Sequence, residues 1–475
     1  MTIVLRDYQV ERMVNPVRQA LVDGFRAPLL VAPTGSGKTR VFAHIVARMV
    51  ERGKRIVVLV HRDELVQQVS EALTDVGVAH GIIAAGLHYD RRHHAHVASV
   101  ATVYRRLDRV AVPDGVITDE AHHVIAATMH GKCLAFWRRM NPKLWTIGVT
   151  ATPERLSGEG LGEMFDTMIL GPTCRELIEA GWLSKYRLFA PETVDVSGLH
   201  RRAGDFVRGE VDELMSKPQI IGNVVSHYAR ICNGAPGVAF CPSVKHAETT
   251  AERFRAAGFR AVSIDGTMSR EVRRGIVCDL RRGALNVLTS CDLISEGFDV
   301  PGIHAIMLLR PTQSMAIHLQ QIGRGLRLAD GKEYAIILDH VGNTQRHGLP
   351  DADRQWTLEG RDAREAREKD GKLSNAVRQC LECFAISPAF ASKCGACGVV
   401  FPIKARQVDE VDGELAEIAV AHMKREAARA QGMAQDMDSL IALAKMRGYK
   451  NPYMWAQYVI NGRKRKGRDV GRSRA

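Results

Sequence analysis

A glycine-rich turn near the N-terminus is the segment with the clearest chemistry. Residues 27–39 read APLLVAPTGSGKT, an apolar run followed by a turn and then by a helical pattern. Such a turn points backbone N–H groups into one concavity, where Lys38 can reach the terminal phosphates of a nucleotide and the Thr39 hydroxyl can bind Mg²⁺. Gly35 and Gly37 let the backbone bend sharply. A loop that binds no nucleotide is the alternative, but strand, loop and helix follow in the order that phosphate binding requires.

A pair of acids ends a second apolar run. Residues 116–123 read VITDEAHH, so Asp119 and Glu120 follow a predicted strand. Asp119 would hold Mg²⁺, and Glu120 would polarise an attacking water as general base. Adjacent acids at a strand end are commonly a solvated turn. Their position downstream of a phosphate loop favours nucleotide hydrolysis.

Four of the ten cysteines form two CxxC pairs, Cys380 with Cys383 and Cys394 with Cys397. This spacing lets four thiolates converge on one tetrahedral Zn²⁺ ion. A redox-active pair and an iron–sulfur cluster are the alternatives, disfavoured by the lack of an adjoining thioredoxin-like unit and by the paired spacing. The remaining cysteines are scattered singly, which argues against a disulfide framework.

Two series of short apolar runs must position these groups. The first series comprises residues 27–33, 55–61, 115–120 and 144–152, and the second comprises residues 237–242, 261–266, 286–291, 305–311 and 334–340. Helical patterns lie between the runs. This alternation predicts two α/β domains in tandem, each with a parallel sheet covered on both faces.

The predicted organisation has six parts. They are a first α/β domain (1–185), a linker (186–217), a second α/β domain (218–348), a charged helical connector (349–377), a zinc ribbon (378–402) and a helical, basic C-terminal region (403–475). Tyr449, Tyr453, Trp455 and Tyr458 precede a tail in which seven Lys or Arg residues accompany one Asp. These aromatic side chains could stack on bases or pack within a small helical unit.

The overall composition limits the class of protein. The 475 residues include 45% hydrophobic and 25% charged residues, a globular balance that excludes a disordered chain. No apolar run approaches the ~20 residues of a membrane span, so we expect a soluble, cytoplasmic protein. The net charge of +13 favours an anionic partner.

The order of the motifs resembles that of the superfamily 2 helicases of the DEAD/DEAH type. The matching segments are LRDYQ (5–9, Q motif), APTGSGKT (32–39, motif I, including the alanine in place of its first glycine), VHRDELVQQ (60–68, motif Ia), DEAH (119–122, motif II), TATP (150–153, motif III), FCPSVKHAE (240–248, motif IV), TSCDLISEGFDVPGI (289–303, motif V) and QQIGRGLR (320–327, motif VI). The resemblance implies two tandem RecA-like domains with ATP and Mg²⁺ in the gap between them.

The resemblance also implies a role for each motif residue. Catalytic residues would be Lys38, Asp119, Glu120, Arg324 and Arg327, the two arginines acting from the second domain. ATP would be bound by Arg6, Gln9, Thr34, Gly35, Ser36, Gly37, Lys38, Thr39, His122, Gly297, Asp299 and Gln320. Nucleic-acid phosphates would be contacted by His61, Arg62, Thr102, Thr289 and Ser290. For the arginines a basic helix face is the alternative, and for the nucleic-acid contacts an ordinary polar surface.

Softer features, including AAGLH (84–88) and the trailing cysteine cluster, resemble the RadD-like group of bacterial and phage DNA-repair proteins. The predicted function is an ATP-dependent DNA helicase or translocase that acts on single-stranded or branched DNA in repair, recombination or phage replication. Single-strand-binding or recombination proteins are candidate partners. The alternatives are an RNA helicase with the same core and a zinc-ribbon DNA-binding protein with a degenerate ATPase core.

Overall fold

The computed structural model describes residues 4–155, 157–190, 195–202, 204–216, 224–291, 302–370, 376–401, 434, 436–446, 451–457 and 459–460. The chain divides into two compact units, Met1–Phe401 and Pro402–Ala475. Gly297 and Asp299, which were expected to bind ATP, lie outside the described residues, as do Tyr449, Tyr458 and the basic tail.

A seven-stranded sheet forms the centre of the first α/β domain. Its strands are β1 (Pro28–Val31), β2 (Ile56–Val60), β3 (His80–Ile83), β4 (Ala95–Ser99), β5 (Gly115–Asp119), β6 (Trp145–Thr150) and β7 (Thr167–Leu170). The spatial order is β3-β4-β2-β5-β6-β1-β7, and all pairings are parallel. Strands β1, β2 and β5 are buried along their whole length because helices cover both faces of the sheet. The phosphate loop and the acidic pair therefore leave the same edge of the sheet.

A six-stranded parallel sheet forms the centre of the second α/β domain. Its strands are β8 (Lys185–Phe189), β11 (Gly237–Phe240), β12 (Ala261–Ile264), β13 (Val287–Ser290), β14 (Ala305–Leu308) and β15 (Tyr334–Asp339), and a short hairpin is made by β9 (Arg201–Arg202) and β10 (Asp205–Phe206). The order is β12-β13-β11-β14-β15-β8. The prediction of two tandem RecA-like domains is confirmed.

Strand β8 corrects the expected linker over residues 186–217. It pairs in parallel with β15 and so already belongs to the second sheet. Only Leu188 and Phe189 of this strand are buried, because β8 lies at the sheet edge. An edge strand lacks the continuous apolar run by which the central strands could be recognised. The helix Arg208–Met215 also falls within the expected linker.

Helices and single turns connect the strands. Helical segments before β7 are Asp7–Gln9, Asn15–Val22, Lys38–Val50, Asp63–Asp75, Val100–Tyr104 and Met129–Met140, with a π turn at Val10–Val14 and a 3₁₀ turn at Ala121–His123. Later segments are Cys174–Glu179, Arg208–Met215, Val244–Ala256, Arg270–Arg281, Met315–Gly325, Asn343–His347, Arg361–Asp370 and Met437–Met446, with a π turn at Tyr228–Cys232. Ser243, Ser269 and Ser314 each accept a backbone N–H three residues on, which stabilises the starts of three second-domain helices.

Small elements follow the two sheets. Strands β16 (Val377–Gln379) and β17 (Ile386–Pro388) pair antiparallel in the cysteine-rich segment. In the C-terminal unit, Leu440 and Ala456 belong to a small buried cluster against which Trp455 packs, as one of the two alternatives for this aromatic side chain expects. Among the residues with described positions, no helix has the length and apolar character that crossing a membrane requires.

Candidate active site

The phosphate loop has the backbone geometry that phosphate binding needs. Gly35 and Gly37 have φ angles of +88° and +83°, in the left-handed region that favours glycine. The helix Lys38–Val50 begins directly after Gly37, so its first N–H groups face the loop. The Lys38 ammonium donates to the carbonyl oxygens of Ala32 at 2.9 Å and Pro33 at 3.2 Å. These bonds hold the lysine along the loop, within reach of a phosphate at its mouth.

The N-terminal helix is locked onto this loop by Gln9. The Gln9 amide donates to the Ser36 carbonyl at 3.0 Å and accepts from the Arg6 backbone N–H at 3.0 Å. A Cβ on Gly37 would lie 2.2 Å from Gln9 Nε2, so a side chain at this position would displace the Gln9 amide. The Arg6 guanidinium lies 4.0 Å from the centroid of the Trp182 ring. Gln9 therefore supports the phosphate loop and, with Arg6, borders the space beside it.

The acidic pair occupies the end of β5 in an unusual conformation. Glu120 has a φ angle of +47°, which is rare for a residue with a side chain. Burial and the neighbouring Glu120 raise the pKa of Asp119 to about 7. Burial lowers the pKa of Lys38, although both carboxylates oppose that shift. The site thus holds two carboxylates and one lysine in poorly hydrated surroundings. A bound cation would stabilise the charged form of the carboxylates.

Motif III supports this pair through a histidine. His122 Nδ1 lies 3.4 Å from Glu120 Oε2 and 3.2 Å from the Thr150 hydroxyl. The Thr150 hydroxyl also donates to the Thr152 carbonyl at 2.8 Å. The DEAH and TATP segments therefore form one hydrogen-bonded network behind Glu120.

The second domain reaches this network through the helix Met315–Gly325, which we call the motif VI helix. The Gln320 amide donates to Glu120 Oε2 at 3.3 Å. A Cβ on Gly323 would lie 2.6 Å from Thr34 Cβ, so this glycine allows the helix to pack against the phosphate loop. The two domains thus meet at the acidic pair and at motif I.

Arg324 and Arg327 face the same cleft as Lys38 and Glu120. The cleft has a volume of about 430 Å³. Its lining residues are Arg6, Gln9, Thr34, Gly35, Gly37, Lys38, Thr39, Arg40, Leu65, Gln68, Asp119, Glu120, Trp182, Leu183, Arg324, Arg327 and Leu328. Five of these side chains are cationic and two are acidic. This excess of positive charge complements a polyphosphate, and Trp182, Leu183 and Leu328 add apolar surface that the sequence did not single out.

The donor set in the cleft fits Mg²⁺. Asp119 supplies a buried carboxylate and Thr39 a hydroxyl at the mouth of the phosphate loop. Oxygen donors of this kind, completed by substrate phosphates, are what Mg²⁺ prefers. The raised pKa of Asp119 indicates that its charge is poorly compensated by the protein alone.

The predicted nucleic-acid contacts divide into two groups. His61 and Arg62, at the end of β2, are partly exposed. Thr102, Thr289 and Ser290 are buried, with 8%, 0% and 0% of their surface exposed. The Thr289 hydroxyl donates to the Ala247 carbonyl inside the domain, because β13 is an interior strand. All five residues remain predicted contacts, and His61 and Arg62 are the two whose side chains are partly exposed.

A contact between motifs Ia and II was not predicted. The His61 ring lies 4.5 Å from the His123 ring, and His123 lies 4.2 Å from His122. These tilted ring contacts connect His61, a candidate nucleic-acid contact, to His122, which lies beside Glu120. The consecutive histidines in VITDEAHH are visible in the sequence, but no local pattern predicts that His61 lies beside His123.

The four clustered cysteines fit a tetrahedral metal site. Their Sγ atoms all lie within 4.8 Å of one another. The pairs Cys380–Cys397 and Cys383–Cys394 have Sγ–Sγ distances of 3.7 and 3.6 Å. A zinc ion bound at about 2.3 Å to four sulfurs would separate those sulfurs by about 3.8 Å. Both Sγ–Sγ distances are far longer than a disulfide bond. They therefore favour four free thiolates that bind one zinc ion.

Zinc should therefore be present at about one ion per chain in the purified protein. We expect Cys394→Ser to lose most of the bound zinc, measured by elemental analysis, because one of four ligands is removed. Cys278→Ser is the matched control, since Cys278 is an exposed cysteine outside the cluster. Iron in place of zinc, or full zinc content in Cys394→Ser, would contradict this assignment.

Comparisons with known proteins agree with this geometry. The family "Type III restriction enzyme, res subunit" matches residues 2–155, and "Helicase conserved C-terminal domain" matches residues 218–329. A "51.5 kDa protein" of Lactococcus phage (isolate 7-9) is 35% identical over 378 residues, which cover 79% of this chain and 78% of that protein. "Putative ATP-dependent helicase IRC3" of Saccharomyces cerevisiae is 28% identical, over 71% of this chain and 52% of that protein.

The fold is also shared with solved structures. The "ATP-dependent Type ISP restriction-modification enzyme LlaBIII bound to DNA" superimposes with a TM-score of 0.53 at 16% identity, over 71% of this chain and 28% of that chain. The two family matches, together with the phosphate loop and acidic pair in the cleft, identify an enzyme that hydrolyses ATP. The chain belongs to the superfamily 2 helicases of the DEAD/DEAH type.

Proposed function

We propose that this helicase is a DNA-dependent ATPase that translocates on or remodels single-stranded or branched DNA during repair, recombination or phage replication. The observation that carries the proposal is the cleft in which Arg324 and Arg327 of one domain face Lys38 and Glu120 of the other. This arrangement ties hydrolysis to the relative position of the two domains. A motor on nucleic acid needs that coupling.

Each group in the cleft has a part in hydrolysis. Lys38 and the N–H groups of the phosphate loop bind the terminal phosphates, and Glu120 takes a proton from the attacking water. Gln320 holds the Glu120 carboxylate from the second domain. Mg²⁺ held by Thr39 and Asp119 would neutralise charge on the phosphate oxygens. Arg324 and Arg327 stabilise the charge that develops during transfer.

Two features favour DNA over RNA. The motifs and the cysteine cluster resemble those of the RadD-like DNA-repair group, and the cysteine geometry fits a zinc ribbon. His61 and Arg62 are the side chains we assign to the phosphate backbone. Contacts to phosphates carry no base information, so we expect binding that is independent of sequence and weakened by salt. Single-strand-binding and recombination proteins are the partners we expect.

The test is ATP hydrolysis measured without nucleic acid and with single-stranded DNA, forked DNA or RNA. We expect strong stimulation by DNA and weak stimulation by RNA, with no activity in Lys38→Ala under any condition. Stronger stimulation by RNA would support an RNA helicase instead. Equal rates under all four conditions would contradict a nucleic-acid motor.

A further inference from the structure

Residues 349–370 follow the second α/β domain and return to the first; we call them the strap. On the second-domain side, Asp353 of the strap pairs with Arg175 at 3.0 Å. Arg175 belongs to the helix Cys174–Glu179, whose Leu177 packs in the core of the second domain. On the other side, Trp356 of the strap packs against the core of the first domain. The strap is therefore a second connection between the domains, besides the chain that passes from β7 to β8.

Backbone hydrogen bonds fix the strap on the first domain. The Arg361 N–H donates to the Gly158 carbonyl at 2.7 Å, and the Gly162 N–H donates to the Leu358 carbonyl at 3.0 Å. A Cβ on Gly160 would lie 1.9 Å from the Leu358 oxygen. The segment after motif III is thus shaped to receive the strap.

A buried ion-pair triad adds a side-chain anchor. Arg364 of the strap donates to Glu154 of the first domain, and donates to Glu368 at 2.9 Å. The three side chains are only 3%, 4% and 9% exposed. Removal of the guanidinium would leave two buried carboxylates without their partner, which is strongly unfavourable. The docked strap therefore depends on Arg364.

The anchor lies close to the hydrolysis site along the chain. Glu154 directly follows the TATP segment, in which Thr150 contacts His122. His122 in turn contacts Glu120. Through Arg364 the strap binds the segment that supports the general base Glu120. Through Asp353, near its start, the strap binds the second domain.

We propose that Arg364 is a positioning residue for ATP hydrolysis. By holding the strap on the first domain, it limits separation of the domains and keeps Arg324 and Arg327 facing Lys38 before nucleic acid binds. Without this anchor a smaller fraction of molecules has a closed cleft, and the apparent affinity for ATP falls by that fraction. The inference rests on ATP hydrolysis in the cleft and is independent of whether DNA or RNA is the partner.

The experiment compares Arg364→Met with Arg367→Met. Arg367 lies on the same helix but pairs at 3.2 Å with Glu359, another strap residue, and both side chains are more than half exposed. We expect Arg364→Met to raise the KM for ATP, by about tenfold if the closed fraction falls tenfold, while kcat at saturating ATP is retained. Hydrogen exchange should speed up at Arg361 and Gly162. The control, Arg367→Met, should change neither the KM for ATP nor the rate of hydrogen exchange at Arg361 and Gly162.

A second variant decides the question if Arg364→Met does not fold. Asp353→Arg breaks the pair with Arg175 at the other end of the strap. Both side chains are about half exposed there, so the introduced arginine can be hydrated and the protein should still fold. It should raise the KM for ATP in the same direction with kcat retained. An unchanged KM in folded Arg364→Met, or in Asp353→Arg if the former does not fold, would overturn the proposal. A fall in kcat without a change in the KM for ATP, in either variant, would also overturn the proposal.

Discussion

Arg327→Ala and Arg324→Ala are each expected to lower the kcat for nucleic-acid-stimulated ATP hydrolysis by about 10³–10⁵-fold, the range measured for arginines that stabilise phosphoryl transfer. Both side chains line the cleft opposite Lys38 and Glu120. Burial lowers the pKa of Arg327, because its charge is held in a poorly hydrated cleft. A guanidinium in such surroundings interacts strongly with the negative charge of a transferring phosphoryl group.

The arginine prediction has a matched control. Arg274→Ala changes an exposed arginine of the same domain and should leave kcat unaltered. Steady-state hydrolysis at saturating ATP gives the comparison, and binding of a fluorescent ATP analogue separates loss of catalysis from loss of affinity. A fall in kcat of only a fewfold for both cleft arginines would show that the second domain does not take part in the chemistry.

Glu120→Gln is expected to lower kcat by about 10²–10⁴-fold, since the amide cannot accept the proton of the attacking water. The substitution keeps the size of the side chain and an oxygen that can accept from Gln320, so ATP should still bind. Single-turnover hydrolysis and a separate measurement of ATP affinity check both parts.

The control for the acidic residue is Glu71→Gln, on an exposed face of the first domain. It should hydrolyse ATP at the unaltered rate. If Glu120→Gln retains most of the activity, another group must serve as the base. If it loses ATP binding instead, the carboxylate acts mainly through the bound metal.

Much of the fold was predictable because the central strands are buried on both faces. Runs such as RIVVLVH and YAIILDH lie within residues 55–61 and 334–340, and both contain strands of the observed sheets. The parallel arrangement then brings the phosphate loop and the acidic pair to one edge. The local sequence pattern was therefore enough to predict that Gly35, Lys38 and Asp119 belong to one site.

What escaped prediction depends on contacts between distant segments. Strand β8 is half-exposed at a sheet edge, so no continuous apolar run marked it. Trp182 enters the cleft from the segment between the two sheets, where no local pattern identifies it. The Glu154–Arg364 pair joins residues 210 positions apart in an otherwise charged segment. Burial is what distinguishes Arg364 from its neighbour Arg367, and burial here is set by tertiary packing.

The measurement that tests the account most directly is a structure of the protein with Mg²⁺, a non-hydrolysable ATP analogue and a single-stranded oligonucleotide. We predict that the guanidinium of Arg324 or Arg327 lies within hydrogen-bond distance of the γ-phosphate, at about 3 Å, with Lys38 and Glu120 on the opposite side. Guanidinium groups of both arginines turned away from the phosphates in that complex would contradict the account.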